Sequence, residues 1–394
     1  MSNSTEKKAV IELVKLCYES TSADRANNLL KRCKDNKLNK IIGEAGIAGV
    51  LNYYLNANPN IHLSQSTKKV LKQHAGMIGI KNSIIAQQLA ILAGKFNSRG
   101  IKYIVLKGLP LANSAYQNDS MRAVSDIDIL INRHNYEQVK EVLDECGYVF
   151  PEKKFISVSE RYSQEWIERE RSEILFTKEG ILGEGLVDVH FDLNLFGKND
   201  KFNRMFPLND YDWFGNTRDI EIEGEKIRCM APEAELAYCI AHFAIQHSFM
   251  GIKWLIDICQ ARSCAADLYN KGKEGLFSDN LNFTRITDIT YRLSDELINV
   301  NNETSHFAFS LNRKYKNRLF DDPDSPLGKV KRKLYKAWLP AKVSDRMKFI
   351  LNYLFVGDAI KHRLKASENV RFDILQPFKI CAVFIKERRR QKRN

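Results

Sequence analysis

Ser125-Asp126-Ile127-Asp128-Ile129-Leu130-Ile131 is the densest chemical signal in the chain. On a strand, residues two apart point to one side, so Asp126 and Asp128 would present two carboxylates together at the start of an apolar run. Carboxylates that close repel and raise a pKa unless a cation neutralises them. Hard oxygen donors at this density suit Mg²⁺, which is usually held by one or two carboxylates plus substrate phosphates. Two solvated aspartates in a turn are the bland alternative, and an Asp-x-Asp pair alone does not decide. A third carboxylate, Asp188, lies inside another short β-branched run, Val187-Asp188-Val189-His190-Phe191. A charge within a strand needs a partner or a metal. Upstream, Lys107-Gly108 closes one apolar run and opens a helical one, a place where backbone N–H groups can hold a phosphate. Arg122 stands four residues before Asp126.

These residues need elements to place them. Residues 5 to 98 read as helical: Val10, Leu13, Val14 and Cys17 follow the spacing of one buried face, Ser22 precedes a second helix, Leu38 to Leu55 reads as a third, and a long helix runs from Ser66 to Asn97. Gly100 is placed as its C-cap. The period then changes. Ile101–Leu106 and Ile127–Ile131 read as strands, Leu109–Tyr116 and Asn135–Cys146 as helices, and Ile174–Thr177 and Leu186–Leu193 as strands joined by the glycine-rich turn Glu179–Gly185. This α/β unit occupies about 99–200. Beyond Pro232 the chain is again mostly helical, and Ala237 to Cys259 reads as a buried helix pair.

Strand, glycine turn, helix, Asp-x-Asp strand and third-Asp strand follow the plan of the polymerase-beta-like nucleotidyltransferase superfamily. Within it, LKGLPLANSAYQNDSMRAVSDIDILINRHNYEQVKEVLDECGY (106–148) resembles the bacterial uncharacterised nucleotidyltransferase family. VDVHFDL (187–193) resembles that family's third-carboxylate strand. PEAELAYCIAHFAIQHSFMGIKWLIDI (232–258) resembles its His-bearing helix and the Trp-Leu-x-Asp helix after it. The likeness spans roughly 38–260. Lys107-Gly108 stands where the wider superfamily has Gly-Ser.

The resemblance implies an α+β fold: a small mixed-sheet nucleotidyltransferase core at 99–228, a helical N-terminal region at 1–98, a helical C-terminal domain at 229–385 and a basic tail at 386–394. It implies Mg²⁺-dependent transfer of NMP from an NTP to a hydroxyl acceptor, with Asp126, Asp128 and Asp188 as catalytic ligands of two Mg²⁺ ions. Lys107, Gly108, Arg122, Ser125 and Lys253 would hold the nucleotide, and His190 would orient Asp188 or touch the acceptor. The acceptor is expected to be a small molecule, sugar or peptide. The alternatives are an RNA or tRNA end, and a catalytically silent nucleotide-binding module.

Several local signals read as structural. Lys253 and Asp257 are spaced for a helix ion pair. His242 and His247 are five apart, poor spacing for one helical face, so no zinc site is expected there. The eight cysteines include no CxxC pair, which excludes a zinc ribbon or thioredoxin-type motif and fits a reducing cytoplasm. The first residues carry no long apolar segment, so no secretory signal is expected. With 44% hydrophobic and 28% charged residues, 20 Gly and 9 Pro, the composition is globular and excludes collagen-like and disordered classes. The net charge is +13, and six basic groups against Glu387 in the last nine residues supply +5 of it. That surplus permits RNA or, through the apolar stretch before the tail, an anionic membrane surface. Acidic residues interleaved through 136–145 favour a small acceptor.

Overall fold

The computed structural model describes residues 5–56, 58–150, 172–180, 185–193, 204–263, 265–269, 276–277, 279–298, 318–321, 331, 335–336 and 338–347. The basic tail and the apolar stretch before it lie outside these residues.

Five helices open the chain: α1 (Thr5–Cys17), α2 (Ala23–Leu30), α3 (Asp35–Ala45), α4 (Ala48–Asn56) and α5 (Gln65–Ser98). The side chains of Ser22 and Ser64 accept from Arg25 N and Thr67 N and so cap α2 and α5. The single helix expected over 38–55 is two. Gly46 ends α3 in the left-handed conformation (φ 67°), which turns the backbone before α4 begins.

Among the described residues the sheet has six strands: β1 (Tyr103–Leu106), β2 (Ile127–Ile131), β3 (Glu173–Lys178), β4 (Gly185–His190), β5 (Thr217–Ile222) and β6 (Glu225–Met230), in the order β3-β4-β2-β1-β6-β5. It is mixed: β2–β4 and β1–β6 run parallel, the other neighbours antiparallel. Between strands lie α6 (Leu109–Ala115) and α7 (Tyr136–Glu145). The β5–β6 hairpin was not expected. Glu223 and Gly224, both at positive φ (51° and 78°), make its two-residue loop, a geometry that matches strand twist. After the sheet come α8 (Pro232–Ala241), a π turn (His242–Gln246), α9 (Ile252–Ser263), α10 (Ala266–Tyr269) and α11 (Leu281–Ile298). Among the described residues no helix is long and apolar enough to cross a membrane.

Alternation along the strands divides the interior. Tyr103, Val105, Ile127, Ile129, Ile131, Val187 and Val189 pack with α7 and the C-terminal half of α5. On the other face Ile104, Leu106, Leu130 and Met230 join a core built from α1–α4 and α8–α11. Helices before residue 98 and after residue 232 therefore share one core. Leu71 of α5 belongs to that core, and Ile85 to Phe96 belong to the other.

Candidate active site

Strand parity puts the carboxylates on the face covered by the N- and C-terminal helices. Asp128 shares its side with Leu130, and the parallel ladder sets Asp128 opposite Asp188 and Leu130 opposite His190. Asp126 lies just ahead of β2. Ligand oxygens of Asp126, Asp128 and Asp188 all fall within 4.8 Å of one another, the convergence expected from the sequence. Three hard oxygen donors so placed fit a divalent cation such as Mg²⁺. Crowding of negative charge points the same way. Burial, and then the charge of Asp128, push the Asp188 carboxyl up to about 7, a penalty that a bound cation would relieve.

Asp128 is the innermost of the three, 4% exposed. Both of its oxygens have partners. Lys107 Nζ donates to Oδ2 at 2.6 Å, and His190 Nε2 donates to Oδ1 at 3.0 Å. Burial alone would raise the Asp128 carboxyl, but the Lys107 ammonium and the His190 hydrogen bond outweigh it and hold the group well below the usual carboxylate range. Burial would also strip Lys107 of its proton, and Asp128 reverses that effect too, so the ammonium stays charged. His190 Nδ1 faces Glu173 Oε2 at 3.6 Å, from the directly paired residue on β3. Burial opposes charging of His190, yet the bond to Asp128 raises its pKa overall. The imidazole therefore bonds Asp128, a partner the sequence did not offer beside Asp188 and the acceptor.

The turn expected at Lys107-Gly108 is present, between β1 and α6. Lys107 has φ 33° and Gly108 φ 61°. A Cβ on Gly108 would meet only ordinary contacts, the nearest at 3.6 Å, so glycine is required here by backbone conformation rather than by space.

Arg122, expected to reach a phosphate, is committed inside the chain. Its Nε and Nη2 donate to the two carboxylate oxygens of Asp257 on α9 at 2.8 and 2.9 Å, and Nη1 donates to Gly108 O at 3.1 Å. Tyr116 OH completes the group with a 2.6 Å bond to Asp257 Oδ1. The i, i+4 pair expected between Lys253 and Asp257 gives way to this fork, because a bidentate guanidinium satisfies a buried carboxylate better than a lysine can. The segment leading to the carboxylates is fixed by Asn82 on α5. Its amide donates to Asp119 O and Arg122 O, and its oxygen accepts from Val124 N. Asn82 had no sequence signal at all. Ser125 Oγ donates to Asp126 Oδ1 at 3.0 Å.

Lys253 is differently placed. Its ammonium rests 4.2 Å from the centre of the Trp254 ring and forms no ion pair among the described residues. Burial, helped by the charge of Arg122, pushes its pKa down, while Asp257 and then Asp126 act in the opposite sense. Its stem runs past Gly46, where an added Cβ would make only an ordinary contact with Lys253 Cδ at 3.4 Å. On the neighbouring turn, His242 and His247 meet with ring centres 4.5 Å apart, and His247 stacks on Trp254. Five-residue spacing, poor for one face of a regular helix, brings them together at the π turn, where His247 N donates to His242 O. Burial, with Lys107 adding, holds the His242 pKa well below its ordinary value.

The family described as uncharacterised nucleotidyltransferase matches residues 33–269, more than half of the sequence, and the chain belongs to that family. No curated protein matches the sequence. The chain is similar to an antigenic nucleotidyltransferase-like protein from Paracoccidioides brasiliensis, known from its crystal structure, at 17% identity over 54% of this chain and 91% of that one. The TM-score is 0.32, too slight a likeness to carry an argument.

Proposed function

We propose that this chain is a Mg²⁺-dependent nucleotidyltransferase of the polymerase-beta-like superfamily, moving an NMP group from an NTP to a hydroxyl of a small molecule, sugar or peptide. The observation that carries the reading is the convergence of Asp126, Asp128 and Asp188, two of them locked opposite each other by a parallel strand pair. Mg²⁺ held by this cluster supplies electrostatic stabilisation of the charge that develops on the phosphoryl oxygens.

The chain's own residues do the rest. Asp188, set opposite Asp128 by the parallel strand pair, is placed to orient the acceptor hydroxyl and take its proton. The acceptor oxygen bonds to the α-phosphorus, the bond from that phosphorus to the β-phosphate bridge breaks, and pyrophosphate leaves. Lys253 is the cation we assign to the phosphates, because its charge is not spent on a carboxylate among the described residues. Gly108 and Ser125 border the carboxylates and line the nucleotide's approach. Lys107 and Arg122 act from behind, Lys107 on Asp128 and Arg122 on the carbonyl of Gly108. The six described cysteines are free thiols, which suits the reducing cytoplasm we assign to the chain.

Each α-³²P-labelled NTP with Mg²⁺ and a lysate divided into RNA, protein and small-molecule fractions tests this. Label should enter the protein or small-molecule fraction and be lost with Asp188→Asn. Label confined to RNA would move the acceptor to a nucleic-acid end. No label from any NTP would leave a silent binding module.

A further inference from the structure

The resemblance to nucleotidyltransferases implies two metal ions bridged by the Asp-x-Asp pair. Bridging requires the inner carboxylate to offer its oxygens to both ions. In this chain Asp128 has an ammonium 2.6 Å from Oδ2 and an imidazole nitrogen 3.0 Å from Oδ1. A second dication on Asp128 would share an oxygen with Lys107 Nζ at hydrogen-bond range. Like charges that close repel strongly where water is scarce, and Asp128 and Lys107 are 4% and 11% exposed at their side chains.

Nor is the lysine a passing visitor. Its backbone has φ 33°, a conformation that residues with a side chain adopt only where the surroundings impose it. The next carbonyl, Gly108 O, is held by Arg122, which is itself locked by both oxygens of Asp257. The ring of Tyr238 on α8 lies within electrostatic reach of both Lys107 and Asp128. The outer carboxylates differ. Asp126 bonds the adjacent Ser125, and Asp188 stands where burial and Asp128 act against its charge.

We propose that Lys107 provides the second positive charge of this centre, so that the carboxylate cluster takes one divalent ion where a bridged pair would otherwise sit. The inference rests on the cluster being a nucleotidyl-transfer centre, as proposed above. Two ions become one ion and one built-in ammonium. The ammonium cannot be removed by a chelator, and it fixes the charge beside Asp128 before any substrate arrives.

The test counts ions and reads their separation. Metal-free full-length chain is titrated with Mn²⁺ beside an equimolar non-hydrolysable NTP. Equilibrium dialysis gives the number bound, and electron paramagnetic resonance shows whether bound ions are coupled. Wild type should hold one Mn²⁺ per chain with an uncoupled spectrum, lost on Asp188→Asn. Lys107→Met should hold two, with the exchange coupling of ions about 3.5–4 Å apart, while Lys107→Arg, which keeps the charge, should hold one. A coupled pair in wild type overturns this inference and leaves nucleotidyl transfer standing. A folded Lys107→Met chain that still takes one uncoupled ion overturns it as well. No Asp188-dependent Mn²⁺ in any chain overturns both readings. Should Lys107→Met fail to fold, the wild-type count decides alone.

Discussion

Replacing Asp188 by Asn should stabilise the metal-free protein, and the gain should grow with pH. The Asp188 carboxyl moves from an ordinary 3.8 to about 7 in the fold, through burial first and the charge of Asp128 second. Between those values the folded chain holds a proton that the unfolded chain has released. Folding stability attributable to this group is therefore greatest below the unfolded value and is lost as pH rises through the window, levelling above about 7. The whole displacement corresponds to an upper bound of ~4 kcal/mol at ~1.4 kcal/mol per pH unit. Asn has the shape of Asp without the charge, so it removes the ionisation penalty and keeps the packing. Between pH 5 and pH 8 the stability gap between variant and wild type should widen by roughly 2–3 kcal/mol, or about 4–6 °C in melting temperature at ~2 °C per kcal/mol for a chain of this size. Thermal unfolding in EDTA at the two pH values measures it. Millimolar Mn²⁺ should close the gap from the other side, because the ion stabilises only the chain that binds it. A gap independent of pH, or a wild type more stable than the variant at pH 8 in EDTA, would refute the account of Asp188 as an ionisation-strained carboxylate.

Other perturbations separate scaffold from chemistry. Arg122→Met should destabilise the fold by ~3–5 kcal/mol in urea unfolding, since it leaves Asp257 charged and buried, and Arg122→Lys should not restore it, because a lysine cannot satisfy both oxygens. Gly49→Ala should cost ~1–3 kcal/mol by overpacking, because its Cβ would collide with the backbone carbonyls of Ser120 and Met121; an unchanged urea midpoint would mean that α4 and 120–121 can move apart. Lys253→Ala should weaken binding of a non-hydrolysable NTP about tenfold in calorimetry, of the order of 1.4 kcal/mol, while Mn²⁺ binding without nucleotide stays as in wild type. Equal NTP affinity would place the phosphates elsewhere.

The carboxylate centre was legible because its signal is local. Two aspartates at strand spacing declare a shared side, and the family resemblance adds the third, Asp188, whose face the β2–β4 register then sets. The β5–β6 hairpin carried a comparable alternation, Ile220, Ile222, Ile227 and Cys229. On the opposite face Asp219, Glu221, Lys226 and Arg228 are all charged, which masks the alternation. Leu38–Leu55 kept its apolar stripe across Gly46, and nothing local distinguishes a tolerated helical glycine from one that turns left-handed. The partners of Arg122 and Lys107 were beyond local reading. Asp257 lies 135 positions from Arg122, and which carboxylate a cation finds is settled by packing. The meeting of His242 and His247 depends on a π turn, a backbone choice that residue periodicity assumes away.

The order of synthesis gives the Arg122–Asp257 fork another meaning. Arg122 leaves the ribosome 66 residues before Asp188 and 135 before Asp257. Over the first 66 of those residues β2 has only β1 to pair with, and over all 135 the carboxylate that neutralises Arg122 does not yet exist. A guanidinium 7% exposed in the finished fold has no reason to leave water until α9 arrives, because a buried charge without a partner is strongly unfavourable. The turn at Gly108, braced by that guanidinium, stays unset for the same period. Docking of α9 is thus what gives the brace behind Gly108 its counter-charge, and that helix is complete only once the chain has been made through its first two-thirds.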